Sequence, residues 1–179
     1  MDEQEFKEIV EKIINGKKDE FSKIIQSFQK KIFQIAMGFF RNREEAMDLT
    51  QEALIKIFQN LNKWKHNKSF SAWVFTITNN LCIDRYRKIK KEKIDASKIY
   101  EKILPGNEYL DSTIKIEKAL DNLPPKEKML ISMKYFNDMK LMEISEVLNI
   151  SLGTTKSILH RGIKKIRKYV FSSEESGNE

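Results

Sequence analysis

The sequence is poor in residues that interrupt helices and in residues that build covalent or metal sites. Its 179 residues include six glycines and three prolines, and this scarcity favours mostly helical structure. A single cysteine, Cys82, excludes an internal disulfide, and with two scattered histidines it makes no metal-ligand cluster. No apolar run is long enough to span a membrane, and the acidic start is unlike a signal peptide. We therefore expect a cytoplasmic protein without metal, cofactor or membrane insertion.

Motifs of catalysis are missing as well. The chain has no glycine-rich phosphate loop, no Ser/His/Asp spacing and no paired-carboxylate motif. Nothing in the sequence therefore indicates an enzyme, and no catalytic residue is assigned.

Positive charge, in contrast, is abundant and unevenly distributed. The chain has 33 Lys/Arg against 26 Asp/Glu, a net charge of +7. The excess lies in two separate blocks, residues 63–93 and 151–170, and the second block contains six Lys/Arg and no Asp/Glu. Two distant basic blocks favour one polyanionic partner that is contacted at two places.

The second basic block follows a helix and a turn, as in a helix-turn-helix. At about 100° per residue its apolar side chains share one side: Thr155, Leu159, Ile163, Ile166 and Val170. The other side carries Thr154, Ser157, Ile158, Arg161, Lys164, Lys165 and Lys168. A helix charged in this way suits the major groove of a duplex. An ordinary solvated face is the alternative, but such faces usually mix both signs.

Hydrophobic periodicity predicts an all-α protein. Four amphipathic helices are expected over about 3–14, 19–40, 44–64 and 69–91, with Ser69 as the N-cap of the fourth. The segment 93–115 has weaker periodicity and a Pro-Gly pair, so we interpret it as a flexible linker. After Pro124-Pro125, helices are expected at about 126–136, 140–148 and 152–170. The result is two small helical domains, the second a helix-turn-helix.

The third predicted helix has a polar face opposite its core face. Asp48, Glu52, Ile55 and Gln59 line it at helical spacing. This face is either a solvated stripe with one stray apolar residue or a docking face for a partner helix that carries Arg or Lys. The spacing leaves both interpretations open.

The fourth predicted helix places a polar stripe beside its apolar face. Thr76, Asn80, Asp84 and Arg87 form the stripe, and basic residues follow it up to Lys91. Aromatic residues next to cations suit single-stranded DNA, where bases stack and phosphates are neutralised. The same composition occurs in cores covered by lysines whose stems pack on apolar surface.

Several segments together resemble one family, the extracytoplasmic-function group of bacterial sigma-70 RNA polymerase sigma factors. The resemblance covers about 20–170, with the motifs in register. They are EAMDLTQEAL (45–54), FSAWVFTITNN (70–80), IDRYR (83–87), ALDNLP (119–124), EIS (143–145) and GTTKSILHR (153–161).

The resemblance implies a domain for polymerase binding and the minus-ten element over 1–92 and a linker over 93–115. A helix-turn-helix domain for the minus-thirty-five element would follow over 116–171, with a disordered tail over 172–179. The implied partners are core RNA polymerase, through its clamp coiled coil and flap, promoter DNA and an anti-sigma factor. Such a protein directs the polymerase to promoters and helps to melt them.

The resemblance also implies three sets of contact residues. For polymerase they are Asp48, Leu49, Gln51, Glu52, Ile55 and Gln59. For the minus-ten element they are Lys65, Asn67, Asn80, Asp84, Arg85, Arg87 and Lys88. For the minus-thirty-five element they are Thr154, Lys156, Ser157, Ile158, Arg161, Lys164 and Lys165. Ile158 replaces an arginine of the family, and an apolar side chain there suits a thymine methyl group.

The length of the linker agrees with this interpretation. Two turns of duplex span roughly 70 Å, and the 23 residues of 93–115 extend to at most about 80 Å. One rival interpretation is a stand-alone helix-turn-helix regulator of closed duplex, which leaves the Asp48–Gln59 face and the first basic block unexplained. Another is an inhibitory or scaffolding protein on the polymerase, which leaves the basic helix unexplained.

Overall fold

The computed structural model describes residues 1–65, 69–97 and 112–172, and every regular element within these ranges is helical. The eight α-helices are α1 (Glu3–Ile14), α2 (Phe21–Phe40), α3 (Arg43–Gln59), α4 (Phe70–Ser97), α5 (Ser112–Asp121), α6 (Pro125–Ile131), α7 (Leu141–Leu148) and α8 (Leu152–Ser172). A π-helical segment, Ser132–Phe136, continues α6. The all-α prediction is confirmed, whereas the central part of the predicted linker and the tail after Ser172 lie outside the described residues.

Local capping explains where α1, α3 and α4 begin. The Asp2 side chain accepts a hydrogen bond from Glu5 N at 2.9 Å, and Asn42 Oδ1 accepts one from Glu45 N at 3.0 Å. Ser69 Oγ accepts a hydrogen bond from Ala72 N at 3.0 Å, as its predicted N-cap role requires. These caps satisfy amide groups that the first turn of a helix leaves without a partner.

Two helix boundaries differ from the sequence prediction, and one helix was not predicted. Helix α3 ends at Gln59, before a 3-10 turn at Leu61–Lys63, instead of running to Trp64. Helix α4 continues to Ser97, beyond the predicted end near Lys91. Helix α5 was not predicted, although Ala119, Leu120 and Leu123 recur at helical spacing and are buried. Both ends of the predicted linker are therefore helical.

An aromatic cluster forms the centre of the N-terminal half, residues 1–97. The Phe28 ring on α2 lies 5.3 Å from the ring of Phe6 on α1, centroid to centroid. Its centroid lies 5.7 Å from that of Phe70 and 5.8 Å from that of Phe75, both on α4. The cluster joins three helices, so it fixes how α2 and α4 present their outer faces.

The C-terminal half, residues 112–172, contains the expected helix-turn-helix. Asn149 ends α7 in the left-handed conformation, with a φ of 52°, which asparagine tolerates better than most residues. Ser151 then starts α8, because its Oγ accepts a hydrogen bond from Thr154 N at 3.1 Å. The turn therefore follows from two residues whose side chains favour that backbone.

The hydrophobic core does not stop between the two halves. One cluster of contacting buried side chains includes Phe39 and Val74 from the N-terminal half, and Met133, Ile144 and Val147 from the C-terminal half. The two helical units that the sequence predicts are thus packed directly against each other. Local periodicity carries no information on this packing.

Candidate functional site

The outer face of α3 is exposed and rich in hydrogen-bonding groups. Asp48, Gln51 and Gln59 are exposed, and Ile55 among them is 57% exposed, which is high for a large aliphatic side chain. An apolar residue with a polar rim is the arrangement that the docking interpretation requires, whereas a single exposed apolar residue is by itself ordinary on a protein surface.

Leu49 does not belong to that face. Its side chain is fully buried in the core. The prediction that it contacts a partner needs correction, since it packs in the core and holds α3 against the rest of the protein. Its place in the recognisable motif led sequence reasoning to group it with the contact residues.

Glu52 is half-buried because an arginine from α4 covers it. Arg85 Nη2 lies 3.0 Å from Glu52 Oε2, and Arg85 Nη1 lies 3.2 Å from Glu45 Oε2. Lys56 Nζ lies 3.2 Å from the other carboxylate oxygen of Glu52. Arg85 thus points toward α3 and is not free to contact DNA as predicted. It links the outer face of α3 to the polar stripe of α4.

The polar stripe of α4 is otherwise open. Asn80, Asp84, Arg87 and Lys88 are exposed, and Arg87 Nη1 lies 3.4 Å from Asp84 Oδ1. Of the loop residues, Lys65 is exposed, whereas Asn67 lies outside the described residues.

A cavity of about 300 Å³ lies between the end of α3 and this stripe. Trp73 and Ile77 provide apolar lining, Asn80 and Asp84 contribute polar groups, and Lys56, Asn60, Lys63 and Leu81 complete it. Sequence reasoning missed the two lysines, since they precede α4 by many residues and only folding brings them to the cavity. An aromatic ring beside cations is an arrangement that suits a nucleotide.

The start of α8 is exposed and carries short polar groups followed by cations. Thr154, Lys156, Ser157, Arg161 and Lys164 are all exposed. Ser151 caps the helix, so the amides of its first turn point toward this end. Amides and cations at an exposed helix start suit a phosphate backbone.

Lys165 and Ile158 are placed differently from expectation. Lys165 Nζ lies 2.9 Å from both carboxylate oxygens of the buried Glu127, so it ties α8 to α6. Ile158 is only 5% exposed and belongs to the core. Its predicted base contact is wrong, because Ile158 and Leu159 both fall within the wide apolar stripe that a packed helix needs.

Among the described residues two ionisable groups have shifted pKa values, and neither belongs to these surfaces. Burial raises the pKa of the Cys82 thiol, and the nearby positive charge of Arg85 opposes this rise in part. The hydrogen bond from Lys23 lowers the pKa of the exposed Glu20. Among the described residues no cluster of His, Cys, Asp and Glu is arranged to hold a metal ion, and no described helix meets the length and hydropathy that a membrane crossing requires.

Comparison with known proteins gives two family matches. Residues 24–92 match the model of sigma-70 region 2, and residues 119–168 match that of sigma-70 region 4. The ECF RNA polymerase sigma factor SigW of Bacillus subtilis (strain 168) is 32% identical, over 93% of this chain and 97% of that protein. The RNA polymerase sigma factor SigV of the same organism is 27% identical, over 80% and 86%.

Two solved structures share the fold. The sigma factor RpoE, solved with the anti-sigma factor NepR from Bartonella quintana, gives a TM-score of 0.65 at 20% identity over 84% of this chain and 96% of that one. CnrH, solved with the cytosolic domain of CnrY, gives a TM-score of 0.66 at 16% identity over 96% of this chain and 97% of that one.

Proposed function

Since the chain belongs to the extracytoplasmic-function sigma factors of the sigma-70 family, we propose that its three exposed surfaces divide the work of such a factor. The protein binds core RNA polymerase, directs it to specific promoters and helps to melt the DNA for initiation. Each surface acts by binding polymerase or DNA, and none carries out covalent chemistry.

The acidic face of α3 is assigned to the polymerase. One observation carries the assignment: Ile55 is exposed at the centre of a face that Asp48, Gln51 and Gln59 surround. A basic partner helix fits such a surface, because its cations meet acceptors at the rim while its apolar side chains cover Ile55. Glu52 contributes from the edge, where Arg85 holds it.

The stripe of α4 and the adjoining cavity are assigned to the minus-ten element. Asn80, Asp84, Arg87 and Lys88 present donors and charges to an opened strand. The cavity beside them, lined by Trp73 and two lysines, has the chemistry for an extruded base. Unstacking a base costs a few kcal/mol, which stacking and phosphate contacts offset.

The exposed start of α8 is assigned to the minus-thirty-five duplex. Thr154, Ser157 and Arg161 are placed to reach base edges, while Lys156 and Lys164 neutralise phosphates. Lys165 is left out of this set because Glu127 holds it. An anti-sigma factor is proposed as a further partner, since RpoE was solved with one.

Co-elution with core polymerase, followed by run-off transcription, tests the function. We expect the chain to co-elute with core polymerase. Genomic fragments that bind this assembled complex should then serve as templates on which it starts transcripts. A stand-alone regulator would bind duplex but would neither co-elute nor start transcripts. That outcome would exclude the proposed function.

The first surface prediction concerns Arg161. Arg161→Ala is expected to weaken binding to a selected promoter duplex by about 1–3 kcal/mol, the usual value of a base contact by arginine. Polymerase binding should stay unchanged, because α3 is untouched. Fluorescence anisotropy on the duplex measures the effect. Arg167→Ala is the matched control, since Arg167 is exposed on another side of α8; equal losses in both variants would contradict the assignment.

A second prediction concerns Arg85 as a positioning residue. Arg85→Ala is expected to weaken polymerase binding about three- to tenfold, because Glu45 and Glu52 lose the guanidinium that orients them, while single-stranded DNA binding changes little. Lysine at this position should restore only part of the affinity, since an ammonium cannot bridge two carboxylates with a planar fork.

A double-mutant cycle separates positioning from a general structural effect. In a Glu52→Gln background, the loss caused by Arg85→Ala should shrink, because the main partner is already neutral. A loss confined to DNA binding would instead make Arg85 a direct DNA contact.

A further inference from the structure

A buried carboxylate from α6 lies against the basic side of α8. The Glu127 side chain is only 8% exposed. Lys165 Nζ donates hydrogen bonds to both of its carboxylate oxygens, at 2.9 Å each. The segment 151–170 contains no acidic residue of its own. Folding therefore supplies the basic helix with a negative charge that lies elsewhere in the sequence.

Lys165 lies on the side of α8 that is assigned to DNA. At about 100° per residue it falls about 40° from Arg161 around the helix axis, and it follows Lys164 directly in the chain. Its side chain is 51% exposed, so a phosphate has access to the ammonium group. The position of Lys165 is thus that of a phosphate contact, whereas its charge is already matched by Glu127.

Close packing between α6 and α8 brings the two charges together. Gly162 of α8 faces α6, and a β-carbon there would lie 2.9 Å from Ile131 Cδ1 and 3.6 Å from Glu127 Cβ. The small residue allows the two helices to approach closely. Glu127 consequently lies within hydrogen-bonding reach of Lys165, which stands three positions after Gly162.

Exchange of Glu127 for a phosphate is unfavourable for Lys165. Removal of the ammonium group would leave a buried carboxylate without a cation, which is costly. The two hydrogen bonds between them are charge-assisted and hence stronger than neutral ones. A phosphate of the duplex is well solvated, and its pairing with a lysine gains little beyond the release of a counterion. We therefore expect Lys165 to stay on Glu127 when α8 meets a duplex.

We propose that Glu127 is a positioning residue that withholds Lys165 from the phosphate backbone and thereby removes one phosphate contact from α8. The inference rests on the assignment of α8 to duplex DNA. Phosphate contacts supply nearly all of the affinity for DNA of unrelated sequence. Glu127 therefore limits how tightly the chain is held outside promoters, while the base-edge candidates Thr154 and Ser157 at the start of α8 are unaffected.

Two variants test the withholding of Lys165. Glu127→Gln keeps the shape of the side chain and an acceptor for Lys165, but it leaves the ammonium charge unmatched. We expect this variant to bind a mixed-sequence duplex about three- to tenfold more tightly at about 0.1 M salt. A plot of the logarithm of its binding constant against the logarithm of salt concentration should be steeper by about 0.9. Glu127→Gln combined with Lys165→Gln is neutral, as the wild-type pair is, so its affinity and slope should equal those of the wild type.

Fluorescence anisotropy of the labelled duplex, with the full chain at about 50–200 mM salt, measures these slopes. Glu8→Gln is the matched control, because it makes the same change of net charge on the exposed side of α1 and should leave the slope unchanged. Lys164→Gln, on an exposed lysine of α8, should flatten the slope by about 0.9 and so calibrates the loss of one phosphate contact.

Two results would overturn the inference. One is an unchanged slope for Glu127→Gln, which would show that Glu127 does not restrain Lys165. The other is a double variant whose slope is as flat as that of Lys164→Gln, since Lys165 would then contact a phosphate in the wild type. Failure of the wild type to co-elute with core polymerase would contradict the proposed function, while the comparison of slopes on duplex DNA would still stand.

Discussion

Glu52→Lys is expected to abolish stable co-elution with core RNA polymerase. The substitution places an ammonium where a carboxylate meets the basic partner helix, and Arg85 and Lys56 already lie within 3.2 Å of that carboxylate. Like charges at the edge of an interface cost several kcal/mol, so we expect an affinity loss of about a hundredfold or more. Fluorescence-detected binding to purified core polymerase measures it.

Two control variants distinguish the loss of a polymerase contact from a general effect on folding. Glu52→Gln keeps the shape of the side chain and an acceptor for Arg85, so it should lose less affinity than Glu52→Lys. Glu8→Lys makes the same charge change on the exposed side of α1, and it should bind polymerase as the wild type does. Binding to promoter duplex should be unaffected in all three variants. Co-elution of Glu52→Lys at wild-type affinity would refute the assignment of α3.

Phe28→Ala is expected to cause the largest loss of stability. The Phe28 side chain is 1% exposed, and its ring contacts the rings of Phe6, Phe70 and Phe75. Truncating a buried phenylalanine costs about 3–5 kcal/mol, out of a total of about 5–15 kcal/mol for a native protein. At about 2–4 °C per kcal/mol, the melting temperature should fall by roughly 6–20 °C.

Circular dichroism during heating and urea titration measures this loss. Phe171→Ala is the matched control, because the same side chain is 60% exposed there and its truncation should change stability by less than about 0.5 kcal/mol. A urea midpoint for Phe28→Ala equal to that of the wild type would contradict the central role of the aromatic cluster.

Local features of the sequence were sufficient for most of the helices. The predicted cap at Ser69 and the turn between the two predicted helices 140–148 and 152–170 are confirmed, because a capping hydroxyl and a residue tolerant of positive φ act on neighbouring amides only. The unpredicted α5 shows the limit of this approach. Its signal is weak because it follows a segment rich in turn residues, and its buried Leu120 packs with Ile131 of α6 and with Leu159 and Ile166 of α8.

The family and its overall function were also accessible from the sequence. Motifs in register carry both, and the matches to sigma-70 regions 2 and 4 confirm the family. The other individual contact residues stay predictions, whereas burial corrects Leu49 and Ile158 and ion pairs inside the protein occupy Lys165 and Arg85. Ile158 was misplaced because it lies at the edge of the apolar side and matches an arginine position of the family, and Leu49 because it stands within a motif.

The sequence by itself determined the helical periodicity, the caps and the two basic blocks, because all of these depend on neighbours within a few positions along the chain. Only the tertiary structure decided that Arg85 faces Glu45 and Glu52, and that Phe136 rests on Gly38. Those pairs are far apart in sequence, and a helical pattern specifies which side of a helix is apolar without specifying which distant side chain will cover it.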